Sequence, residues 1–393
     1  MGSRADFGIG VVTALAVECA AMRTVIDEIT NVPSLPGDPN RYVAGTMPSS
    51  VEGAPHRVVL TVMARDNNKN SAAVCVDLLR SFPEMRCVLM VGIAGGIPAP
   101  EVPQRHVRLG DVVVATEGVV DYDHVRNVDG EQTIRRHLQG LSTHMTRAAQ
   151  EVRVGEHLGR RPWEETLRTA APRFTRPPAS TDVLRAGGRV VGHPDPELSG
   201  HSHGFPKIHY AAIASADRLL RDEAYRDRLV RRHGDVSAVE MEGSGIATAS
   251  DLHEAHWFVV RGVADYCDTS KNAIWQPYAA MTAAAYARAL LAHAPPFASA
   301  RRARSGDRGA VVALLMAVPA MGEGQTRQLI VERLRPEIRG AIRRFPAARP
   351  DVYEILSTCL DYEGGKGELI EAIRFAAGDA LSARLAIEAL EGL

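Results

Sequence analysis

The segment AVEMEGSGIATAS, residues 238 to 250, places two carboxylates on either side of Met241 and directly before a run of small residues. The small residues predict a helix that packs closely against neighbouring elements. Glu240 and Glu242 therefore stand at the start of an element that can hold them still. A carboxylate held in place can stabilise positive charge that develops in a substrate.

A third carboxylate, Asp265, follows the apolar stretch VVRGVA. An aspartate at the carboxyl end of a strand in apolar surroundings favours its protonated form, which suits a general acid, although the nearby Arg261 favours the ionised form. Asp265 could instead cap the turn into the next segment. Glu18 closes the first apolar stretch and has a similar structural alternative, because the helix dipole favours a carboxylate in the first turn.

The apolar stretches alternate with segments of helical periodicity, which predicts an α/β fold whose sheet is buried on both faces. The predicted strands cover residues 7–17, 57–64, 87–95, 111–120, 208–215 and 257–264. The predicted helices cover residues 18–29, 70–82, 241–253 and 279–294. Glu18, Glu242 and Asp265 then lie near carboxyl ends of strands, the edge along which open α/β sheets bind ligands. Together they indicate a ligand site more strongly than each does alone.

A glycine-rich strand end, VGIAGG at residues 91–96, supplies small residues at the same edge. Around Ile93, Ala94 and Gly95 a ligand can approach backbone N–H groups. The spacing matches neither the dinucleotide-binding fingerprint nor the phosphate-binding P-loop, and such segments are also common as tight turns. By itself the segment is weak evidence for a ligand site.

Residues 126–207 interrupt the alternation with sequence rich in Pro, Arg and His, and with one helical segment near residues 141–152. This change in composition predicts an insertion that lies over one end of the sheet. Histidines at four positions invite a metal site: His193, His201, His203 and His209. Carboxylate or cysteine partners at ligand spacing are missing, so we predict an exposed loop and no metal.

After residue 294 the composition changes. Residues 295–307 are rich in Pro, Arg, Ser and Gly, which predicts a linker. Residues 308–393 form short amphipathic segments separated by Pro or Gly. We therefore predict an α/β domain over residues 1–294 and a small all-α helical bundle over residues 308–393, large enough to fold alone.

Composition excludes several classes of protein. Lys and Arg number 46 against 47 Asp and Glu, and a net charge of -1 draws the chain neither to nucleic acid nor to an anionic membrane. The five cysteines are scattered without a C-x-x-C pair, which favours reduced thiols over a disulfide framework or a zinc ribbon. No stretch has the length of a membrane span and no signal peptide is recognisable, so we expect a soluble cytoplasmic protein.

Five segments, in this order, resemble the nucleoside phosphorylase superfamily: VVTALAVECAAM, VLMVGIAGG, HVRLGDVVVATEGVVDYDHV, AVEMEGSGIA and VVRGVADYCD. Within it they look most like the methylthioadenosine and S-adenosylhomocysteine nucleosidase branch. The resemblance covers about residues 7–294, interrupted by the insertion. It implies a three-layer α/β domain with a mixed central sheet, no metal or organic cofactor, and a homodimer or larger homo-oligomer.

The resemblance also implies a role for each candidate residue. Asp265 corresponds to the general acid that protonates purine N7 so that the base can leave. Glu18 corresponds to the residue that positions and activates the attacking water, assisted by Arg261. Glu242 corresponds to the carboxylate that binds the ribose hydroxyls, and Met241 packs against the sugar.

Further positions follow from the same resemblance. Glu240 is expected to support the site from behind, and the backbone at Ala94 and Gly95 to border the base. Leu219 stands where the nucleosidases usually have a base-stacking Phe, and Ala264 where they usually have a Ser that supports the acid. Both departures leave the base and the rate open and fit a changed substrate.

The chemistry agrees with these implied roles. Cleavage of an N-glycosidic bond develops positive charge on the sugar and negative charge on the base, so a carboxylate by the ribose and an acid by the purine lower the barrier. Phosphorolysis would need a nest of Arg and hydroxyl donors for phosphate. Ile93 stands where relatives often carry Ser or Thr, and Glu18 would repel phosphate. We favour hydrolysis, with phosphorolysis or a non-catalytic nucleoside sensor as alternatives.

Basic residues of the insertion could face a phosphorylated nucleotide such as ATP, or could form a solvated surface. They are Arg135, Arg136, Arg147, Arg153, Arg160 and Arg161.

Most of residues 308–393 resemble an effector-associated domain, a helical adaptor module of bacterial signalling and conflict systems. In that family the module pairs with a related module on another protein. The resemblance implies an effector enzyme whose partners are a purine nucleoside or nucleotide and a protein with a related domain, with no nucleic acid or membrane. The alternative is an inert helical extension that packs on the enzyme or makes a dimer.

Overall fold

The chain divides into two compact units, Met1–Phe297 and Ala298–Leu393. The computed structural model describes residues 4–128, 131–134, 137–138, 141–233, 236–297, 308–378 and 380–393. Most of the predicted linker, residues 298–307, lies outside the described residues. The first unit is an α/β domain, and the second is all-α.

The first unit is built on a mixed β-sheet, with two short hairpins beside it. In chain order the strands are β1 Ile9–Thr13, β2 Asp27–Val32, β3 Tyr42–Met47, β4 His56–Val62, β5 Cys87–Gly96, β6 Val112–Val114, β7 Val119–Asp121, β8 Val125–Val128, β9 Glu131–Ile134, β10 His137–Leu138, β11 Leu184–Ala186, β12 Arg189–Val191, β13 Ile208–Tyr210, β14 Ala212–Ser215, β15 Val236–Glu240 and β16 His256–Asp265. β1 runs parallel to β4 and β5, and β5 runs parallel to β16. β15 is antiparallel to β5, so the predicted mixed sheet is confirmed.

Helices cover both faces of this sheet. They are α1 Ala16–Val25, α2 Asn68–Ser81, α3 Thr143–His157, α4 Pro162–Arg168, α5 Pro196–Ser199, α6 Glu223–His233, α7 Gly243–Leu252 and α8 Gln276–Ala292. Successive residues of β16 alternate between two apolar cores, as strand geometry requires: Trp257 and Val259 join the core with α2 and α7, and Phe258 and Val260 join the core with α1, α3 and α8. The predicted three-layer α/β architecture is confirmed.

The predicted elements differ from the observed ones in a few places. The stretches 111–120 and 208–215 each hold two strands, because β6 pairs with β13 while β7 pairs with β14. The first helix ends at Val25, since Ile26 adopts extended backbone and leads into β2. The strand β15, the edge strand β2 and its neighbour β3 were not among the predicted strands.

The insertion is packed against the sheet domain, so the predicted exposed loop is wrong. Helices α3 and α4 contact α8, and Trp163 of α4 is 1% exposed. Nε2 of His201 and Nε2 of His209 each donate to Oδ2 of Asp111, at 2.8 and 2.9 Å. Asp111 is the carboxylate partner that sequence spacing could not show, because it precedes His201 by about ninety residues.

The second unit is a helical bundle with a core of its own. Its helices are α9 Arg308–Met316, α10 Pro319–Gly322, α11 Gly324–Glu332, α12 Pro336–Ala341, α13 Ala348–Asp361, α14 Gly365–Ala377 and α15 Leu381–Glu391. Asp351 is buried between two arginines, and its Oδ2 lies 2.8 Å from both Arg327 Nε and Arg344 Nη2. Burial opposes ionisation of Asp351, but the hydrogen bonds from Arg344, Phe345 and Arg327 leave its pKa below the usual range. None of the helices in the described ranges combines the length and apolar character that would let it cross a bilayer.

Helix α7 approaches α2 closely at Gly245. A Cβ on Gly245 would lie 2.0 Å from the carbonyl oxygen of Asn68 and 2.1 Å from Ser71 Oγ. The Gly245 N–H donates to Asn68 Oδ1 at 2.9 Å, and Ser71 Oγ donates to the carbonyl of Glu242 at 2.7 Å. The expectation of a closely packed helix after Glu242 is confirmed, and this contact fixes where α7 begins.

Gly245→Ala should therefore lower the free energy of unfolding of the first unit by about 1–3 kcal/mol, because the backbone oxygen of Asn68 cannot yield to a new methyl group. All three tryptophans lie in the first unit, so tryptophan fluorescence in urea reports its unfolding. Gly192→Ala is the matched control, since a Cβ there meets no atom of the described residues within 4 Å. Equal stability of the two variants would contradict the packing argument.

Candidate active site

The predicted site residues come together around one cavity of about 290 Å³. Nine of them line it: Glu18, Ile93, Ala94, Gly95, Leu219, Glu240, Met241, Glu242 and Asp265. They come from α1, the second half of β5, the segment that follows β14, the end of β15 with the two residues after it, and the end of β16. The tenth, Arg261, is buried at the centre of the group and contacts the glutamates.

Glu18 is held in place by backbone N–H groups. Its Oε2 accepts hydrogen bonds from Ala14 N and Leu15 N, at 2.7 and 2.8 Å, and its Oε1 accepts one from Ile93 N at 2.8 Å. The carboxylate thus caps α1 and also lines the cavity. Burial raises the pKa of Glu18. The positive charge of Arg261 and these hydrogen bonds favour the ionised form and oppose the rise, but burial has the larger effect. Such a carboxylate is suited to accept a proton near neutral pH.

Arg261 joins the two glutamates of the AVEME segment. Its guanidinium is fully buried, and Nη2 contacts Glu240 Oε2 and lies 3.0 Å from Glu242 Oε2. Glu240 also accepts hydrogen bonds from Gly243 N and Glu242 N, at 2.8 and 3.1 Å. Glu240 therefore fixes the guanidinium and the start of α7, and Glu242 is left facing the cavity.

The buried cluster of Glu18, Glu240, Glu242 and Arg261 carries more negative than positive charge, because three carboxyl groups face one guanidinium. Burial raises the pKa of Glu242 to about 8. The positive charge of Arg261 opposes this rise, and repulsion from Glu240 and Glu18 adds to it. A ligand that develops positive charge next to Glu242 would relieve the imbalance.

Asp265 ends β16 and is 6% exposed. Its Oδ1 accepts a hydrogen bond from Cys267 N at 2.9 Å, and its Oδ2 lies 2.9 Å from Lys271 Nζ. A Cβ on Gly95 would lie 2.1 Å from Cys267 Sγ and 2.9 Å from Asp265 Oδ1, so only glycine lets β5 pass this close. Asp265 thus stabilises the turn after β16 and lines the cavity at the same time.

Several cavity residues were missed at the sequence level. Ala14, Asp66, Arg218, Cys267, Lys271 and Gln276 also line the cavity. Lys271 could have been found from its place in ADYCDTSKN, since a basic residue in the loop after an acid-bearing strand can fold back onto the acid. For the remaining five residues the sequence carried no comparable signal.

Of the six candidate arginines of the insertion, the four that the structure describes do not line this cavity. Arg153 and Arg161 line a second cavity of about 540 Å³, with Lys207 and Glu156. Arg147 and Arg160 are exposed, and residues 135 and 136 lie outside the described part of the chain. Arg153 and Arg161 therefore do not face the predicted site, because α3 and α4 place them at the second cavity.

One group in the described residues has the donor atoms of a metal site. Those of Asp111, His201 and His209 lie within 4.8 Å of one another. The two imidazoles lie at hydrogen-bonding distance from Asp111 Oδ2, and Asp111 Oδ1 accepts a hydrogen bond from Lys207 N at 2.9 Å. These contacts attach the insertion to the strands β6 and β13.

Comparison with known families identifies both units. The model of the Phosphorylase superfamily matches residues 8–292, and the model of Effector-associated domain 2 matches residues 312–391. The first match spans more than half of the chain, so the chain belongs to the phosphorylase superfamily. The family resemblance predicted for both units is confirmed.

Curated relatives match most of this chain. A nucleotide-binding leucine-rich repeat (NLR)-like protein of Hyaloscypha variabilis is 29% identical over 303 residues, which are 73% of this chain and 29% of that protein. The ATP nucleosidase Cap17 of Escherichia coli is 26% identical over 293 residues, 72% of this chain and 50% of that protein. The chain thus spans half or less of the length of these curated relatives.

Among solved structures, S-adenosylhomocysteine nucleosidase from Streptococcus pyogenes, in complex with 5-methylthiotubericidin, has a TM-score of 0.50 and 18% identity. The match covers 75% of this chain and 99% of that one. At this identity the likeness shows a shared fold.

The raised pKa of Glu242 predicts how stability depends on pH. A carboxyl whose pKa is higher in the folded protein contributes stability that is complete below its unfolded pKa and is lost as pH rises toward about 8. Between pH of about 5.5 and about 8, the wild-type free energy of unfolding should fall by about 1–3 kcal/mol more than that of Glu242→Gln. Urea titrations followed by tryptophan fluorescence measure the difference.

Glu52→Gln is the matched control, because Glu52 is exposed. It should keep the wild-type pH dependence. If Glu242→Gln shows the same pH dependence as the wild type, the assignment of the raised pKa to Glu242 is wrong.

Proposed function

We propose that this member of the phosphorylase superfamily hydrolyses the N-glycosidic bond of a purine nucleoside or nucleotide, with an adenine-type base favoured. The observation that carries the proposal is the position of Glu18. Its carboxylate accepts the N–H groups of Ala14, Leu15 and Ile93, which form the kind of donor set that binds anions at a helix N-terminus. With that set filled by the protein's own carboxylate, phosphate is repelled, and water is the nucleophile.

In the proposed reaction Glu18 takes a proton from water as the water oxygen attacks C1′ of the sugar. The bond between C1′ and N9 breaks, and its electron pair goes to the purine. Asp265 gives a proton to N7, so the base leaves as a neutral molecule. The products are a free purine and a sugar with a hydroxyl group at C1′.

Glu242 and Met241 are proposed to hold the sugar. Glu242 would accept hydrogen bonds from the ribose hydroxyls and stabilise the positive charge that develops on the ring. Arg261 and Glu240 act behind it, because the guanidinium contacts both glutamates and Glu240 holds the start of α7. This arrangement supports a preorganised site, in which the charges need not move as the bond breaks.

ATP is the first substrate that we propose to test, because the relative Cap17 is named an ATP nucleosidase. Arg218 lines the cavity and is more than half exposed, so it can turn toward a phosphate group. The similarity to methylthioadenosine and S-adenosylhomocysteine nucleosidases makes those nucleosides the second choice. Leu219 is 55% exposed at the cavity and replaces the usual aromatic contact with the base, which supports a substrate range different from theirs.

We further propose that the chain is an effector of a bacterial signalling or defence system, recruited through its second unit. The match to Effector-associated domain 2 over residues 312–391 supports this. The unit has its own core and exposes large apolar side chains, among them Phe375 at 68% and Leu381 at 69%. These two side chains are therefore where we propose to test partner binding.

Release of the free base tests the enzymatic proposal. The purified full chain is incubated with ATP, AMP, adenosine, methylthioadenosine and S-adenosylhomocysteine, with and without phosphate, and products are separated by chromatography. We expect free base and a sugar with an unphosphorylated C1′, at a rate that phosphate does not change. Asp265→Asn should lower the rate by about 10²–10⁴, because it removes the proposed acid.

Asp361→Asn is the matched control, since Asp361 is exposed and lies in the second unit. It should keep the wild-type rate. A strict requirement for phosphate would show that the reaction is phosphorolysis and not hydrolysis. Ligand binding without any base release would favour the alternative of a non-catalytic nucleoside sensor.

The adaptor proposal is tested with the full chain carrying Phe375→Asp and Leu381→Asp. We expect at least about tenfold weaker binding to a protein that bears a related effector-associated domain, with base release unchanged. Leu252→Asp is the control, because Leu252 is 78% exposed in the first unit. Unchanged binding together with a changed oligomeric state would favour the alternative of a dimerising extension.

A further inference from the structure

The second cavity lies at the opposite end of β15 from the candidate active site. Glu117 precedes β7, Ala211 precedes β14 and Ser237 is the second residue of β15, and all three line this cavity of about 540 Å³. β14 runs parallel to both β7 and β15, so the cavity lies at the amino ends of these strands. The candidate active site takes Glu240 from the other end of β15. A cavity of this volume suits one small molecule.

The second cavity has an excess of positive charge. Arg153 comes from α3, Arg161 directly precedes α4, and Lys207 directly precedes β13. Four basic side chains line the cavity against two acidic ones: Arg105, Arg153, Arg161 and Lys207 against Glu117 and Glu156. A concave site with surplus positive charge attracts anions.

Lys207 brings an ammonium group to the cavity whose hydrogen-bond partners, among the described residues, are carbonyl groups. Its Nζ donates to the carbonyl oxygens of Gln104 and Ser199, at 2.5 and 2.8 Å. Partial burial lowers the pKa of Lys207, and the negative charges of Asp111 and Glu156 oppose this effect. An ammonium group has three N–H donors, and the two carbonyls use two of them. An anion in the cavity can accept from the third and offset the cost of burying the charge.

The two arginines of the insertion can also donate to a ligand. The Arg153 guanidinium lies 5.2 Å from the centre of the Tyr210 ring, a cation–π contact that uses none of its N–H groups. Arg161 Nη1 donates to Ser202 Oγ and lies 3.7 Å from Glu164 Oε1. The Arg161 Nε is buried without a hydrogen-bond partner among the described residues. Guanidinium groups bind phosphate oxygens through two parallel hydrogen bonds, so a phosphate would supply the partner that Nε lacks.

We propose that the second cavity binds a small molecule with two or three linked phosphate groups. Each of these groups brings at least one negative charge, so together they match the positive charges of Arg153, Arg161 and Lys207. The ligand is a nucleotide or an inorganic polyphosphate, which share this chemistry. The site lies apart from the candidate active site, so it binds its ligand whether or not the chain hydrolyses nucleosides.

Isothermal titration calorimetry of the full chain tests the site, with inorganic tripolyphosphate and CTP as separate probes. CTP carries three linked phosphates on a pyrimidine nucleoside, which separates this site from the proposed purine site. We expect Arg153→Gln and Arg161→Gln each to weaken tripolyphosphate binding at least about tenfold. Glu156→Gln removes a negative charge from the cavity and should strengthen binding several-fold. CTP binding that tripolyphosphate displaces identifies a nucleotide site, whereas binding of tripolyphosphate alone identifies an inorganic polyphosphate site.

Arg147→Gln is the matched control, because Arg147 also belongs to α3 but is exposed and lines neither cavity. It should keep the wild-type affinity, and urea unfolding curves show that each variant is folded. Equal weakening by Arg147→Gln would reveal diffuse attraction to a basic surface and overturn the proposal. Loss of binding in Arg218→Gln but not in Arg153→Gln also overturns it, since the phosphates would then lie in the active-site cavity. Failure of the wild type to bind either probe at millimolar concentration has the same consequence.

Discussion

The buried guanidinium of Arg261 is the interaction on which the site depends. It is fully enclosed, contacts Glu240 and Glu242, and moderates the charge of Glu18. Loss of one partner of a buried ion pair leaves the other without compensation, at a cost of about 3–5 kcal/mol. Because three elements, α1, β15 and β16, supply these charges, the strand order of the sheet and the chemistry of the cavity are specified together.

The fold explains how the charges are held at fixed positions. Glu18 is fixed by the backbone at the start of α1 and by β5, and Glu240 by the N–H groups at the start of α7. Helix α7 is itself held against α2 by a glycine that leaves no room for a side chain. In each case the carboxylate is oriented by backbone N–H groups, which cannot rotate away as side chains can. Such preorganisation is what makes electrostatic stabilisation effective.

Much of the fold and of the site could be predicted from the sequence, since apolar stretches mark β1, β5 and β16 and the acids follow them. The family resemblance identified further site residues, such as Leu219, that no periodic pattern in the sequence marks. What could not be predicted depends on contacts between distant segments. The anchoring of the insertion rests on Asp111 meeting His201 and His209, and the placement of Arg153 and Arg161 follows from how α3 and α4 pack on α8. The place of Lys271 in the loop after Asp265 could have suggested a contact with the acid, but no sequence pattern indicated the left-handed turn at Cys267 through which the loop returns.

The carboxylate of Glu18, seated in its ring of backbone N–H groups, also bears on the direction of the proposed reaction. Phosphorolysis conserves the energy of the glycosidic bond in a sugar phosphate, from which a cell can rebuild the nucleoside. A site that rejects phosphate and admits water releases that energy as heat, and the bulk concentration of water opposes the reverse step. With that one side chain in the anion pocket, the enzyme would deplete its substrate pool irreversibly, and recovery would require new synthesis of the nucleoside.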